Sequence, residues 1–210
     1  MICPLCSSSE ALAFHQDRKR AYFQCPVCML VFIDPRFLPT ADQEKQRYQL
    51  HQNKDSDPGY IHFLSTMLKP LKLRIGKQSK GLDFGSGPTP VLATLLKKEG
   101  YCIELYDPFF ADHKEVLQER YDYLVCVETA EHFHRPHDEW RRIRQLVKAG
   151  GWIGLKTALF SESIDFSFWH YKSDPTHVCY YSKKTLIWIG TRYGLRPEFE
   201  EDDVVFFKVL

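Results

Sequence analysis

The stretch Lys80-Gly-Leu-Asp-Phe-Gly-Ser-Gly-Pro-Thr-Pro90 decides the fold. A short apolar run ends there in a glycine-rich turn, and a helical pattern (Val91, Leu92, Leu95, Leu96) starts directly behind it. Gly85 and Gly87 lack a Cβ, so the backbone can approach a ligand closely. A lone G-x-G turn also serves the purely steric needs of a tight strand–helix connection. Thr89 is placed to cap the helix and Pro90 to open it. Lys97 and Lys98 suit its last turn and Gly100 its C-cap. A second strand over 101–106 leads to Asp107, an acid 20 residues after Gly87. In nucleotide-binding α/β folds an acid at that place hydrogen-bonds ribose hydroxyls. Pro88 and Thr89 stand where the dinucleotide fingerprint has its third glycine, which argues for a smaller adenosine ligand.

Outward from this turn the chain falls into three stretches. Residues 79–210 alternate strand-like runs with amphipathic helices, the pattern of a parallel sheet. Residues 37–78 form a helical linker or cap, with helical spacing at Phe63, Met67 and Leu71 and at Leu64 and Leu68. Residues 1–36 hold four of the seven cysteines among short β-like pieces. A hydrophobic content of 44% and a charged content of 26% exclude a disordered or fibrous chain. The 210 residues suffice for an α/β domain with its own core and a small satellite. The net charge of +1 excludes a wholesale nucleic-acid footprint, although it conceals +5 over residues 1–80 and −4 over 81–210. The start MICPLCSSSE carries no secretory signal, and no apolar run is long enough to span a bilayer. An odd cysteine count is a poor disulfide framework. A soluble, cytoplasmic protein of a reducing compartment is expected.

Cys3-Pro-Leu-Cys6 and Cys25-Pro-Val-Cys28 are two C-x2-C knuckles separated by 18 residues. Each knuckle converges two sulfurs from one tight loop, and a tetrahedral Zn²⁺ wants four thiolates. A zinc ribbon over 1–36 is expected, its hairpin running through Leu12-Ala-Phe14 and Tyr22-Phe23 with a turn at 17–20. A redox pair would instead need one C-x-x-C beside a βαβ unit. Four thiolates close the zinc shell, so the ion is structural: it folds about 35 residues lacking a core of their own. Cys102, Cys126 and Cys179 read as small, inert apolar residues.

Four motifs follow one another across residues 79–157. They are Asp83-x-Gly85-x-Gly87, Asp107, Tyr121-Asp-Tyr-Leu-Val-Cys-Val-Glu128 and Leu146-Val-Lys-Ala-Gly-Gly-Trp-Ile-Gly-Leu155. In their order and spacing the chain resembles class I S-adenosylmethionine-dependent methyltransferases. The resemblance implies a Rossmann-like α/β fold with a mostly parallel sheet and helices on both faces. A helix over 182–193 and an antiparallel hairpin of 195–200 with 204–209 would close it. It also implies S-adenosylmethionine as cofactor. Asp83, Gly85, Ser86 and Gly87 would hold the methionine moiety, Asp107 the ribose, and Pro108 and Phe109 the adenine. Glu128, at the end of an apolar run, would contact the sulfonium pocket or the acceptor. One departure stands out: only 13 residues separate Asp107 from Tyr121, so the second helix and third strand are compressed or partly missing. With its cysteine module the chain also resembles, more distantly, sugar C-methyltransferases that carry one.

Methyl transfer from a sulfonium chiefly demands alignment of nucleophile and methyl, and a base only where the acceptor must lose a proton. Candidates belong at the C-terminal edges of the strands. Glu128, Glu131 and His132 sit at such an edge, His132 being the base best matched by its ordinary pKa. A carboxylate entering a helix also has a plain electrostatic reason to be there. His134 and His137 complete a His-x-His-x2-His run that reads more simply as solvated surface. The loop Trp169-His-Tyr-Lys-Ser-Asp-Pro-Thr-His177 would cover the acceptor, with His170 or His177 as acid–base residues, or else be a packed aromatic loop. Tyr48, His51, Asn53 and Tyr60 lie in the extension that would close over both ligands. Trp140, Ile143, Val147, Trp188 and Ile189 read as buried stripes.

Transfer to a small-molecule acceptor is the favoured function. One alternative is an RNA-directed methyltransferase, with Arg18, Lys19 and Arg20 at the ribbon's hairpin tip meeting phosphates. An inactive cofactor-binding adaptor is the other.

Overall fold

The structure, a computed structural model, describes residues 1–50, 56–201 and 203–210. β1 (Leu12–Gln16) and β2 (Ala21–Gln24) form the hairpin between the knuckles, and β3 (Val31–Ile33) pairs antiparallel with β2. α1 (Ala41–Gln49) begins at a reciprocal cap: Thr40 Oγ1 accepts from the Gln43 amide, and the Gln43 side chain accepts from the Thr40 amide. α2 (Pro58–Lys72) begins at Asp57, whose carboxylate accepts from the Gly59 and Tyr60 amides. Its apolar stripe, Leu64, Met67, Leu68 and Leu71, is buried.

Two strand–helix–strand units follow. The first is β4 (Lys80–Phe84), α3 (Val91–Lys98) and β5 (Cys102–Tyr106). The second is β6 (Tyr121–Val127), α4 (Pro136–Leu146) and β7 (Val147–Lys156). The chain closes with β8 (Cys179–Tyr180), α5 (Lys183–Tyr193) and the hairpin β9 (Leu195–Glu201) and β10 (Val204–Val209). The large sheet runs β5-β4-β6-β7-β10-β9. Its first four strands are parallel, and β10 is antiparallel to both neighbours. This is the Rossmann-like arrangement, mostly parallel with a closing hairpin. The compression after Asp107 takes a definite form. A five-residue 3-10 turn, Lys114–Gln118, replaces a helix, and β5 is left as the sheet's edge with no further strand beyond it among the described residues.

Alternation along β6 explains the two layers. Tyr123 and Val125 face α2 and α3, while Leu124 and Cys126 face α4 and α5. Trp140, Ile143 and Leu146 bury the inner stripe of α4; truncating Trp140 to alanine would cost about 3–5 kcal/mol. Ile189 is buried as expected, whereas Trp188 is only half-buried.

The N-terminal segment shares its core with the rest of the chain. β3 pairs with β8, and Leu5, Tyr22, Leu30 and Phe32 join the α4–α5 layer, so apolar burial as well as any ion holds it. Two further expectations need correction. Helix α3 starts one residue late: Pro90 occupies the cap position at ψ 66° without a side-chain cap, and Thr89 stays exposed in the turn. Cys126 and Cys179 are buried, but Cys102 is exposed at the start of the edge strand. No helix among the described residues is long and apolar enough to cross a membrane.

Candidate functional site

A cavity of about 630 Å³ opens at the C-terminal ends of β4, β5 and β6. The turn over 84–89 forms one wall, Asp107, Pro108 and Phe109 the next, and Glu128, His132 and His177 the far end. Glu44 and Tyr48 of α1 and Tyr60 and Phe63 of α2 cover it.

The glycine turn is held by main-chain bonds. The Gly85 and Ser86 amides donate to the Tyr106 carbonyl at 2.8 and 3.1 Å. Gly85 has φ +82°, and a Cβ there would fall 2.1 Å from Thr129 Cγ2. Gly87, at φ +66°, has nothing within 4 Å of a Cβ position, so its backbone faces open cavity. Asp107 Oδ2 accepts from the Gly87 amide at 2.9 Å, and Oδ1 accepts from Phe109 and Phe110 at 2.8 and 3.1 Å. A carboxylate has about four acceptor positions, so about one remains toward the cavity. Ser86 Oγ is buried on the same wall with no partner. An orphaned hydroxyl, a spare carboxylate position and a Cβ-free turn together suit a polar adenosine ligand. Asp83, by contrast, lies fully buried beneath the turn and outside the cavity wall. Burial, and then the Asp107 charge, raise its carboxyl to about 7.

At the far end, Glu128 adopts φ 47°, a left-handed conformation rare outside glycine, as its amide donates to the Lys156 carbonyl at 2.8 Å. Burial, followed by the nearby Glu131 charge, pushes its carboxyl up to about 9. Glu131 is completely buried. It accepts from the Tyr171 hydroxyl at 2.5 Å and from the Thr157 hydroxyl at 3.0 Å. Tyr171 also lies 3.4 Å from Glu128 Oε2. His132 Nδ1 meets the Thr176 carbonyl at 2.9 Å, and His177 Nδ1 meets the Tyr171 carbonyl at 2.7 Å. The two rings are 4.8 Å apart, with Tyr48 packed 5.1 Å from His132. Burial lowers His177 to about 4, so its ring is neutral at ordinary pH.

The lid carrying His177 is fastened to the N-terminal hairpin. Arg20 is buried and donates to the carbonyls of Lys172, Asp174, Pro175 and His177. The expected surface role for Arg20 is therefore corrected: its guanidinium turns inward, and only Arg18 and Lys19 of that tip are exposed. Asp174 binds Arg47 of α1 at 2.8 Å, which ties lid to cap.

Among the lid candidates, His177 reaches the cavity but His170 does not. His170 is exposed at the first position of the 3-10 turn His170–Ser173, whose other side buries Tyr171. The run His132, His134, His137 does not converge. His134 Nε2 lies 3.2 Å from Glu44 Oε1, off the line of a hydrogen bond. His137 Nδ1 meets the Leu5 carbonyl at 3.2 Å. Tyr48 and Tyr60 line the cavity, while His51 and Asn53 lie outside the described residues. The sequence reading missed Glu44, Thr157 and Lys156. Lys156 is buried with its Nζ 2.5 Å from Asp203 and 4.2 Å from the Phe63 ring centre.

The four N-terminal cysteines form a separate cluster. Cys3 and Cys28 sulfurs are 3.5 Å apart, Cys6 and Cys25 are 3.4 Å apart, and all four lie within 4.8 Å of one another. A tetrahedron with 2.3 Å metal–sulfur bonds has edges of roughly 3.8 Å, so the donors suit a tetrahedral thiophilic ion. No disulfide forms among the described cysteines. The Cys28 thiol's hydrogen bond draws Cys3 down to about 5, while burial pushes Cys6 up to about 12. Four sulfurs this close cannot all be anionic without a cation.

Known proteins agree with this architecture. The ubiquinone biosynthesis O-methyltransferases of Serratia proteamaculans and Yersinia pestis are 31% and 32% identical over 84 residues, 40% of this chain and 35% of each enzyme. The match thus spans about a third of the relatives' length. An O-methyltransferase family protein from Burkholderia thailandensis superposes with a TM-score of 0.52 at 13% identity, covering 81% of this chain and 63% of that one. The neocarzinostatin-biosynthesis O-methyltransferase, solved with S-adenosylhomocysteine and 1,4-dihydroxy-2-naphthoic acid, gives 0.52 at 15% identity, over 71% and 55%. At such identity both show the fold alone. A family profile described as a methyltransferase domain matches residues 48–198, taking in α2, the glycine turn, the cavity wall and the lid. By that match this chain belongs to the methyltransferase-domain family.

Proposed function

We propose that the protein transfers the methyl group of S-adenosylmethionine to a hydroxyl of a small, largely apolar acceptor. The cavity carries this reading, because it joins a main-chain-walled adenosine end to an end rich in titratable side chains. Ser86, Gly87 and Asp107 would hold the methionine and ribose parts, Pro108 and Phe109 the adenine, and Gly85 the turn itself. Asp83 supports the turn from below. In the transfer the acceptor oxygen bonds to the methyl carbon, the carbon–sulfur bond breaks with its pair passing to sulfur, and the acceptor's proton leaves. His132 and His177 face the place where that proton departs. The Thr176 and Tyr171 carbonyls orient the two rings, Glu131 places a carboxyl beside them, Glu128 contacts the acceptor, and His170 takes no part. The curated relatives are O-methyltransferases, which favours oxygen as the methylated atom.

The cysteine cluster supports a structural Zn²⁺ ribbon whose hairpin, through Arg20, holds the lid over the acceptor. Its thiolate shell leaves no position for catalysis. With Arg20 turned inward, the RNA-directed alternative loses one of its three cationic contacts.

Calorimetric titration with S-adenosylmethionine, followed by methyl-label transfer to a panel of small phenols, tests the reading. Micromolar cofactor binding with label appearing in at least one phenol is the expected result. No binding at high micromolar cofactor would refute it.

A further inference from the structure

We infer that Glu131, His132 and His177 form a binding site for a divalent first-row transition ion at the acceptor end of the cavity. The site's geometry stands by itself, while its use in catalysis rests on the methyltransferase reading. One ligand atom from each of the three side chains lies within 4.8 Å of the other two.

Hydrogen bonding explains why a cation belongs there. His132 and His177 each direct Nδ1 at a backbone carbonyl, from Thr176 and Tyr171 respectively. A carbonyl only accepts, so Nδ1 carries a proton in both rings, and in the neutral imidazole Nε2 is then the nitrogen with the lone pair. This is the usual setting of a metal-bound imidazole, because tautomer and ring orientation are set before the ion arrives. Glu131 is oriented in the same way, by hydroxyls from Thr157 and Tyr171. Each hydroxyl takes one position on one oxygen and leaves the carboxylate able to accept further. Three side chains able to ligate a cation therefore converge, each already held by hydrogen bonds to the surrounding protein. In a buried setting such a meeting is costly unless a positive charge sits among them.

The donor set indicates which ion. Two imidazoles and one carboxylate suit zinc, iron, nickel or manganese better than calcium, which prefers oxygen alone. His132 and His177 line the cavity while Glu131 lies behind them, so the ion's open positions face the acceptor. A hydroxyl oxygen bound there would release its proton to water more readily, since the cation stabilises the oxyanion. The oxyanion then attacks the methyl carbon, and the departing pair goes to sulfur. The cysteine cluster, all sulfur, is a spectroscopically distinct site.

The test strips the full chain of metal, refills it with Co²⁺ and reads the absorption spectrum together with the metal content. Expected are intense sulfur charge-transfer bands from the cysteine site and a second cobalt with weaker d–d bands of nitrogen and oxygen character. In His132→Gln and in His177→Gln the second cobalt should be lost and the sulfur bands kept, which also reports that the variants fold. Wild-type protein taking up only sulfur-bound cobalt would overturn the inference, as would d–d bands unchanged in both variants. Cofactor calorimetry on the same samples separates the two readings. Cofactor binding without a second cobalt sinks this inference alone. A second cobalt without cofactor binding leaves the ion site standing and contradicts the methyltransferase reading.

Discussion

The two ends of the cavity are built by opposite means. At the glycine turn the wall is largely main chain, with amides of Gly85, Ser86 and Gly87 tied to the end of β5 over a 23-residue stretch, 85–107. At the other end side chains from three distant segments meet: Glu131 and His132 after β6, Thr157 after β7, and Tyr171 and His177 in the lid. The first end is local and tolerates almost any side chain that does not intrude. The second depends on particular functional groups, and on Arg20, which belongs to neither end but holds the lid. One fold can thus keep its cofactor end while exchanging acceptors at the other.

The largest effect should come from Gly85→Val. Its Cβ would collide with Thr129, and its φ of +82° is unfavourable for any branched side chain. Strain of about 1–3 kcal/mol, added to the clash, predicts roughly a 100-fold or greater loss of cofactor affinity by calorimetry. Wild-type affinity in this variant would break the main-chain account of that end.

Asp83 comes next. Its folded pKa of about 7 exceeds the unfolded value of about 3.9, so the folded chain holds the extra proton between them. Stability should therefore fall as pH rises from about 4 to about 7, by on the order of 4 kcal/mol at most. Asp107 and Lys97 set the local charge around Asp83, and Tyr123 and Cys126 sense it. Denaturant unfolding of Asp83→Asn across this range should show the slope flattened. An unchanged slope would place its origin elsewhere.

Arg20→Ala should have the smallest effect on cofactor binding and the most selective one. Losing a charged donor to four carbonyls costs about 2–3 kcal/mol of stability. Because those carbonyls belong to the lid, the acceptor's KM should rise while cofactor affinity stays within about twofold. Equal loss at both ends would erase the distinction between them.

The same contrast decides how much was legible in the sequence. Gly85, Gly87 and Asp107 were visible because the turn and its acid are near neighbours along the chain and each residue type has a local reason. The closing hairpin of 195–200 and 204–209 was visible through the resemblance to class I methyltransferases. At the acceptor end Glu131, His132 and His177 were each visible as candidates but their meeting was not, since Glu131 and His177 are 46 residues apart and nothing in either neighbourhood states that they converge. His170 and Tyr171 show the limit most simply. Adjacent residues on one 3-10 turn take opposite sides, so the exposed histidine looked as eligible as the buried tyrosine that binds Glu131. Glu44 passed unnoticed because an acid in a helix's first turn already answers the helix dipole. Arg20 read as a surface cation because the lid that accepts its hydrogen bonds lies more than 150 residues away in sequence.

The central claim, that cofactor and acceptor meet inside this one cavity, is tested most directly by a crystal structure with S-adenosylhomocysteine bound. The account predicts the ribose on Asp107, the adenine against Phe109 and the sulfur turned toward His132 and His177. A ligand seated anywhere else, or a sulfur facing away from those histidines, would contradict it.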